Sequence, residues 1–285
     1  MVIAIYLAIV LASATQSATT KLFHRHSSCS SAFNAIKSYA ALALFALIAA
    51  FDFEFHWPTV LFGCLYGVCL CVSMYAGYQA LCRGPMALTS MLVSFSVVVP
   101  LVWGITVGDE TLKALQYLAL VLLFLAIILT NADQIKAKKQ AETKYGIWFL
   151  FVGITFACNG VCSILQKQHQ AYYPESYSRE FMLFAMLFCA VIFSAFTFGK
   201  ISLKALRSVK GKRYAVLSGL ANGVANLFTL VLAGLENASV MFPIISAGTI
   251  LAALLCGRLI FKERLKINHY LALAAGIAAT VLLKL

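Results

Sequence analysis

The sequence predicts an all-α integral membrane protein with ten transmembrane helices in two inverted five-helix repeats. The first observation is composition: 62% of the 285 residues are apolar and only 11% are charged, with a mean hydropathy of +0.90. A soluble domain is nearer half apolar and a quarter charged. The second is a series of ten apolar segments, each near the roughly 20 residues a helix needs to cross the hydrocarbon core. The third is a repeated phrase. Glu110-Thr-Leu112-Lys113-Ala-Leu-Gln-Tyr117-Leu118-Ala119-Leu120 matches Glu263-Arg-Leu265-Lys266-Ile-Asn-His-Tyr270-Leu271-Ala272-Leu273 at seven of eleven positions, at a fixed offset of 153. Leu and Ala coincide easily in an apolar chain; matched Glu, Lys and Tyr do not.

The spans are expected at 2–21, 34–51, 58–81, 85–107, 113–131, 145–166, 180–199, 212–235, 238–261 and 267–284. Residues 1–14 resemble a signal peptide, because an apolar run ends at Ala12-Ser-Ala14. They lack a basic leading region, so they are read as the first span. Connections after spans three and eight are only a few residues long, which predicts tight helical hairpins. Segment 132–144 is polar and rich in Lys, and reads as a linker between halves 1–131 and 145–285. Five is an odd number, so the second half inserts upside down relative to the first, the arrangement of inverted-repeat transporters. At an offset of 146, Ser13, Gln16, Ser17, Thr20 and Lys21 meet Asn159, Cys162, Ser163, Gln166 and Lys167. Spans three and eight each carry a Gly-x-x-x-Gly, Gly63/Gly67 and Gly219/Gly223, a spacing that lets helix backbones approach closely.

The formal net charge is +12, from 22 Lys and Arg against ten acids. The basic residues sit between apolar runs, which marks cytoplasmic loops and excludes a nucleic-acid role. Connections after the odd-numbered spans, with their flanks, hold 18 of the 22 Lys and Arg. That side is expected to be cytoplasmic, with both termini outside. The nine Cys lie mostly in apolar segments, without the partner His residues of a zinc site, and read as small buried apolar residues.

Ten spans, inverted halves and a Glu-x-Leu phrase after spans four and nine together resemble the EamA-type branch of the drug/metabolite transporter superfamily. Gly84-Pro85-Met-Ala-Leu-Thr-Ser-Met-Leu-Val-Ser94 running to Asp109-Glu110 looks like the family's signature across spans three and four. Asn237-Ala-Ser239 through Lys262-Glu263 looks like its second copy. Members commonly have Gly before the motif Glu, where this chain has Asp109 and Lys262. The resemblance implies a multi-pass protein of the inner (plasma) membrane that moves metabolites by alternating access around a midplane cavity. Spans one, three, four, six, eight and nine would line that cavity.

Those spans carry polar stripes. An unpaired polar group in hydrocarbon costs several kcal/mol, so such residues face protein or a cavity. The candidate substrate-binding residues are Gln16, Tyr75, Tyr78, Gln79, Ser94, Asn159, Ser163, Asn222, Asn226, Phe242 and Ser246. A competing reading is that Ser and Thr in membrane helices bond their own backbone or hold helices together. Trp103 and Trp148, near span ends, read as interfacial anchors. Glu110 and Glu263 lie at helix boundaries, where a carboxylate stabilises a following N-terminus. Lys21 and Lys167 end repeat-related spans, where a lysine snorkels to headgroups or meets an anionic group. Pro243, in the first half of span nine, is the expected hinge.

No Asp or Glu falls in the middle of a span. A buried carboxylate is the usual device for proton relays and permanent cations. The expected substrate is therefore a neutral, zwitterionic or amphipathic solute such as an amino acid, moved by facilitation or exchange. An aromatic cage of Tyr75, Tyr78 and Phe242 would instead suit a quaternary amine of the choline kind, or a drug. An intramembrane enzyme would need paired carboxylates or a His-Glu-x-x-His pair within spans, and the chain has neither. All five His fall in loops or at span ends. The chain is thus expected not to be an enzyme, to carry no cofactor and no metal, and to meet the lipid bilayer and a small-molecule substrate, with a homodimer compatible. A non-transporting membrane partner is the remaining alternative.

Overall fold

The computed structural model describes residues 2–26, 30–51, 53–83, 92–93, 95–108, 110–137, 145–174, 176–198, 210–259 and 267–284. Among them the chain forms α-helices and no strand. In order they are α1 (Val2–His26), α2 (Ser30–Ala49), α3 (Trp57–Arg83), α4 (Val98–Thr106, led in by a 3₁₀ turn at Phe95–Val97), α5 (Ala114–Ala137), α6 (Tyr145–Tyr172), α7 (Ser178–Phe198), α8 (Lys212–Leu235), α9 (Ala238–Leu259) and α10 (Ile267–Lys284). Six are long and apolar enough to cross a membrane: α1, α2, α3, α6, α7 and α8. The apolar parts of the other four, such as Ala114–Leu129 and Ala238–Ala252, are shorter. These are the features of a multi-pass membrane protein. The outward faces fit that solvent. Ile3, Leu7 and Leu11 form an exposed row on α1, and Leu61, Leu65, Val68 and Val72 form one on α3. Such surfaces would be a liability in water and are what lipid requires.

Expected and observed boundaries differ in two informative places. α5 continues to Ala137, into the segment read as a linker, of which 138–144 lie outside the described residues. Lys136 and its polar neighbours are good helix formers, so hydropathy ends before the helix does. α6 likewise runs to Tyr172, six residues past the expected end of span six. The link between α8 and α9 is as tight as expected: α8 ends at Leu235 and α9 begins at Ala238.

The chain divides into two compact units that do not coincide with its sequence halves. The first unit holds Met1–Cys71 and Leu165–Leu235, the second Val72–Ile164 and Glu236–Leu285. In the first unit α8 packs on both α1 and α2, and α2 packs on α7. Both Gly-x-x-x-Gly stretches make helix contacts here. A Cβ placed on Gly63 or Gly67 would sit 2.9 Å from the Phe181 carbonyl oxygen or 2.7 Å from that of Ala185, on α7. At Gly219 it would lie 2.3 Å from the Lys37 carbonyl oxygen of α2, and at Gly223 it would meet Leu44 at 3.0 Å. Only glycine permits the backbone approach at three of these positions. Cys189 fills the α3–α7 contact, with its Sγ 3.4 Å from the Gly67 carbonyl oxygen.

In the second unit α10 packs on α5 and α9, and α9 packs on α4. Leu123 and Ile127 of α5, Ala247 of α9 and Ala279 of α10 form its core. Trp148 corrects an expectation: it is no interfacial anchor but is buried against Ala80 and Val152. Glu110 does cap a helix, but a distant one. Its carboxylate accepts the backbone N–H of Ala238 at 2.7 Å and of Ser239 at 2.8 Å. That satisfies two orphan donors of α9 and places negative charge at its positive end. Glu263 lies outside the described residues.

Candidate functional site

Three positions on α3 share one face at heptad spacing: Thr59, Tyr66 and Ser73. All three are buried. Each meets a polar side chain of α6. In the first unit the Thr59 hydroxyl lies 3.1 Å from His169 Nε2, and Gln166 Nε2 lies 3.5 Å from the Tyr66 hydroxyl oxygen. In the second unit Ser73 donates to Asn159 Oδ1 at 2.6 Å. Polar side chains in a low-dielectric seam are retained when they are paired, and these are.

The first unit extends this row into a network on α8 and α1. Tyr66 donates its hydroxyl to Asn226 Oδ1 at 2.8 Å, and Gln166 Nε2 also reaches the Asn226 carbonyl oxygen at 3.5 Å. Asn226 Nδ2 donates to the Asn222 carbonyl at 2.9 Å. One turn away on α8, Asn222 Nδ2 donates to Gln16 Oε1 of α1 at 3.4 Å. Thr20 and Ser218 hydroxyls lie 3.4 Å apart below that pair. Gln16, Asn222 and Asn226 are half-buried, near the middle of their helices. Among the described residues, the Nε2 of Gln16 and the Oδ1 of Asn222 have no protein partner. A donor and an acceptor therefore remain available side by side, on amides that would be costly to leave dry in lipid.

The structure thus joins Gln16, Asn222 and Asn226 and couples them to Tyr66 and Gln166. It places Asn159 in a separate pair with Ser73. Ser163 bonds its own helix, donating to the Asn159 carbonyl at 3.3 Å. Gln79 is bonded through its side-chain oxygen by Arg83, whose guanidinium also lies 4.9 Å from the Phe151 ring centre. Tyr75 is 48% exposed and extends the outward row of Leu61, Leu65, Val68 and Val72. It points away from the face that bears Ser73, because two residues along a helix rotate the side chain by about 200°. Phe242 is buried. Ser246 is half-buried, and its carbonyl accepts the Thr249 hydroxyl at 2.9 Å. Ser94 and the Tyr78 side chain lie outside the described residues. α9 runs on through Pro243, whose ring deprives the Ser239 carbonyl of its helical donor. Lys167 ends its span against a neighbouring helix. It donates to the Ala233 carbonyl at 3.1 Å, one of the last on α8, as cations do at helix C-termini. The Lys21 side chain lies outside the described residues.

Tyr66, Ser73 and His169 are not among the residues that the polar stripes single out. The heptad of Thr59, Tyr66 and Ser73 was available in the sequence. His169 was not, because it followed the predicted end of its span.

No family model and no curated protein matches the chain. Among solved structures, a crystal structure of a protein 13% identical in sequence superposes with a TM-score of 0.75, over 96% of this chain and 94% of the other. A likeness at that identity extends to the fold alone.

Proposed function

We propose that this multi-pass membrane protein is a transporter of a small polar or zwitterionic metabolite, an amino acid or a relative of one, working by alternating access in the inner (plasma) membrane. The observation that carries the reading is the amide cluster of Gln16, Asn222 and Asn226. Half-buried amides near mid-helix, with a free donor beside a free acceptor, match a solute that offers both. Carboxylates are absent from it, so a permanent cation has no counter-charge there.

The inverted-repeat reading is supported by the paired glycines. Gly63 and Gly67 seat α3 on α7, and Gly219 and Gly223 seat α8 on α2. These are the same two contacts when spans one to five are matched with six to ten. On this reading the drug/metabolite transporter resemblance, the ten-span count and the hinge at Pro243 belong together. The test is uptake of radiolabelled amino acids by proteoliposomes. Wild-type protein should show saturable flux for at least one of them. Asn222→Leu and Asn226→Leu should each abolish it, at unchanged protein yield. Wild-type flux in both variants would remove the site.

A further inference from the structure

The first unit contains a second polar arrangement that the amide cluster does not use. At the end formed by the start of α3 and the end of α6, His56 Nδ1 lies 2.9 Å from the Thr59 hydroxyl, and Thr59 lies 3.1 Å from His169 Nε2. On the other side of its ring, His169 Nδ1 lies 3.1 Å from Gln170 Nε2. Gln170 Nε2 also lies 3.0 Å from the Ser178 hydroxyl and 3.4 Å from the Ser176 carbonyl oxygen. His169 and Thr59 are fully buried, whereas His56 is half-buried at the helix start. The Tyr177 ring stacks on His56 at 4.4 Å and 7°, and Tyr177 holds this pose with a positive φ of 54°, unusual for a residue with a side chain.

This chain has a defined direction. The Gln170 amide donates to His169 Nδ1, so the neutral ring carries its proton on Nε2 and donates it to Thr59. Thr59 in turn donates to His56 Nδ1. Gln170 Oε1 is buried and has no partner. Turning that amide over brings Oε1 to His169 Nδ1 and reverses the bonds through His169, Thr59 and His56; the Ser178 hydroxyl then donates to Oε1, and the Ser176 carbonyl gives up its donor. His56 then donates from Nδ1 to Thr59, and Thr59 donates to His169 Nε2. In this reversed chain a proton that binds His56 Nε2 is relayed without a gap. His56 passes its Nδ1 proton to Thr59, and Thr59 passes its own to His169. The cationic ring then donates through Nε2 to Thr59 and through Nδ1 to Gln170 Oε1. One proton enters, one imidazolium forms, and the otherwise unpartnered amide oxygen holds it.

We propose that His169 is a buried proton-loading site fed through His56 and Thr59, and that it couples a proton to solute movement; the coupling rests on the transport reading above. His169 lies one helical turn from Gln166, and its ring packs on Phe181, which also contacts Tyr66. Loading therefore acts next to the groups that hold Asn226. Among the described residues, three ionisable groups near it have recorded contacts. Tyr173 packs edgewise on the His56 ring and tilted against that of His169. Glu180, beside Phe181 on α7, is buried and accepts the Glu54 backbone N–H at 3.4 Å. Lys167 is turned to the Ala233 carbonyl of α8.

Two measurements test it. In ¹⁵N-histidine-labelled protein in lipid bilayers, solid-state NMR between about pH 8 and pH 3 should show the His169 signal pass from a neutral ring protonated at Nε2 to an imidazolium. H169F assigns the signal, and T59A should slow or abolish the conversion. A His169 that stays in one neutral form while His56 titrates overturns the proposal. In proteoliposomes tested with the twenty radiolabelled amino acids, an opposing pH gradient should drive accumulation of about tenfold per pH unit for one coupled proton. The double variant H169F/T59A should lose that accumulation, with its unfolding midpoint within a few degrees of wild type. Undiminished accumulation in the double variant also overturns the proposal. Absence of wild-type flux for every amino acid instead removes the transport reading, and the NMR result alone then decides the proton site.

Discussion

Two clusters in the first unit occupy corresponding places and use opposite chemistry. In one, Phe23 at the end of α1 packs on Phe33 of α2, ring centres 4.8 Å apart, and on Ala215 of α8. In the other, His169 at the end of α6 packs on Phe181 of α7, ring centres again 4.8 Å apart, and bonds Thr59 of α3. Each pair of contacts lies one turn from a glycine on the third helix, Gly219 or Gly63. One is an apolar plug and the other a hydrogen-bonded imidazole. An apolar plug needs nothing from its surroundings but volume. A buried imidazole needs partners on both nitrogens, and Thr59 and Gln170 supply them. The difference teaches that the polar version depends on several matched partners where the apolar one depends on volume alone.

The comparison can be broken most severely at its glycines. Gly219→Leu drives a side chain into the Lys37 backbone and should prevent folding, read as loss of monodisperse protein. Gly63→Leu, whose nearest neighbours stand further off, should leave a destabilised but recoverable fraction. Next comes an exchange between the clusters. Phe23→His buries an imidazole between Phe33 and Ala215 and should cost about 3 kcal/mol in denaturant unfolding. H169F/T59A copies the apolar plug and should cost about 1 kcal/mol, because Gln170 keeps its bonds to Ser178 and Ser176 and only the half-buried His56 Nδ1 loses a partner. Tyr66→Phe removes one hydroxyl shared by Asn226 and Gln166 and should cost about 1 kcal/mol, typical of interhelical bonds in membranes. Tyr75→Leu, on the outward row of the same helix, should change stability by less than about 0.5 kcal/mol. A large effect at Tyr75 with none at Tyr66 would reverse the assignment of α3's two faces.

Much of this organisation was legible in the chain. α8 and α10 begin and end where the hydropathy pattern placed them, since Gly211 and the Glu236-Asn237 pair interrupt it sharply. The paired glycines announced two close helix contacts, and the doubled Glu-x-Leu phrase announced a carboxylate at a helix boundary. Which helix that carboxylate serves was not legible. Glu110 lies next to α5 in sequence yet caps α9, because an N-terminus with free N–H groups attracts any carboxylate the fold brings within reach. Gln16 and Asn222 were named from polar stripes, but their pairing, and the spare donor and acceptor it leaves, depends on α1 packing against α8.

By itself, the sequence determined an all-helical chain, the apolar segments, the small-residue contacts and the residues too polar to face lipid. These are properties of composition and period, and each acts within a turn or two of helix. The tertiary structure alone decided which polar residues meet. It turned Tyr75 outward, buried Trp148, sent Lys167 to a helix end and carried α6 far enough to bury His169 beside Thr59. Partner choice across a seam depends on the rotation and depth of two helices at once, and no single segment encodes it.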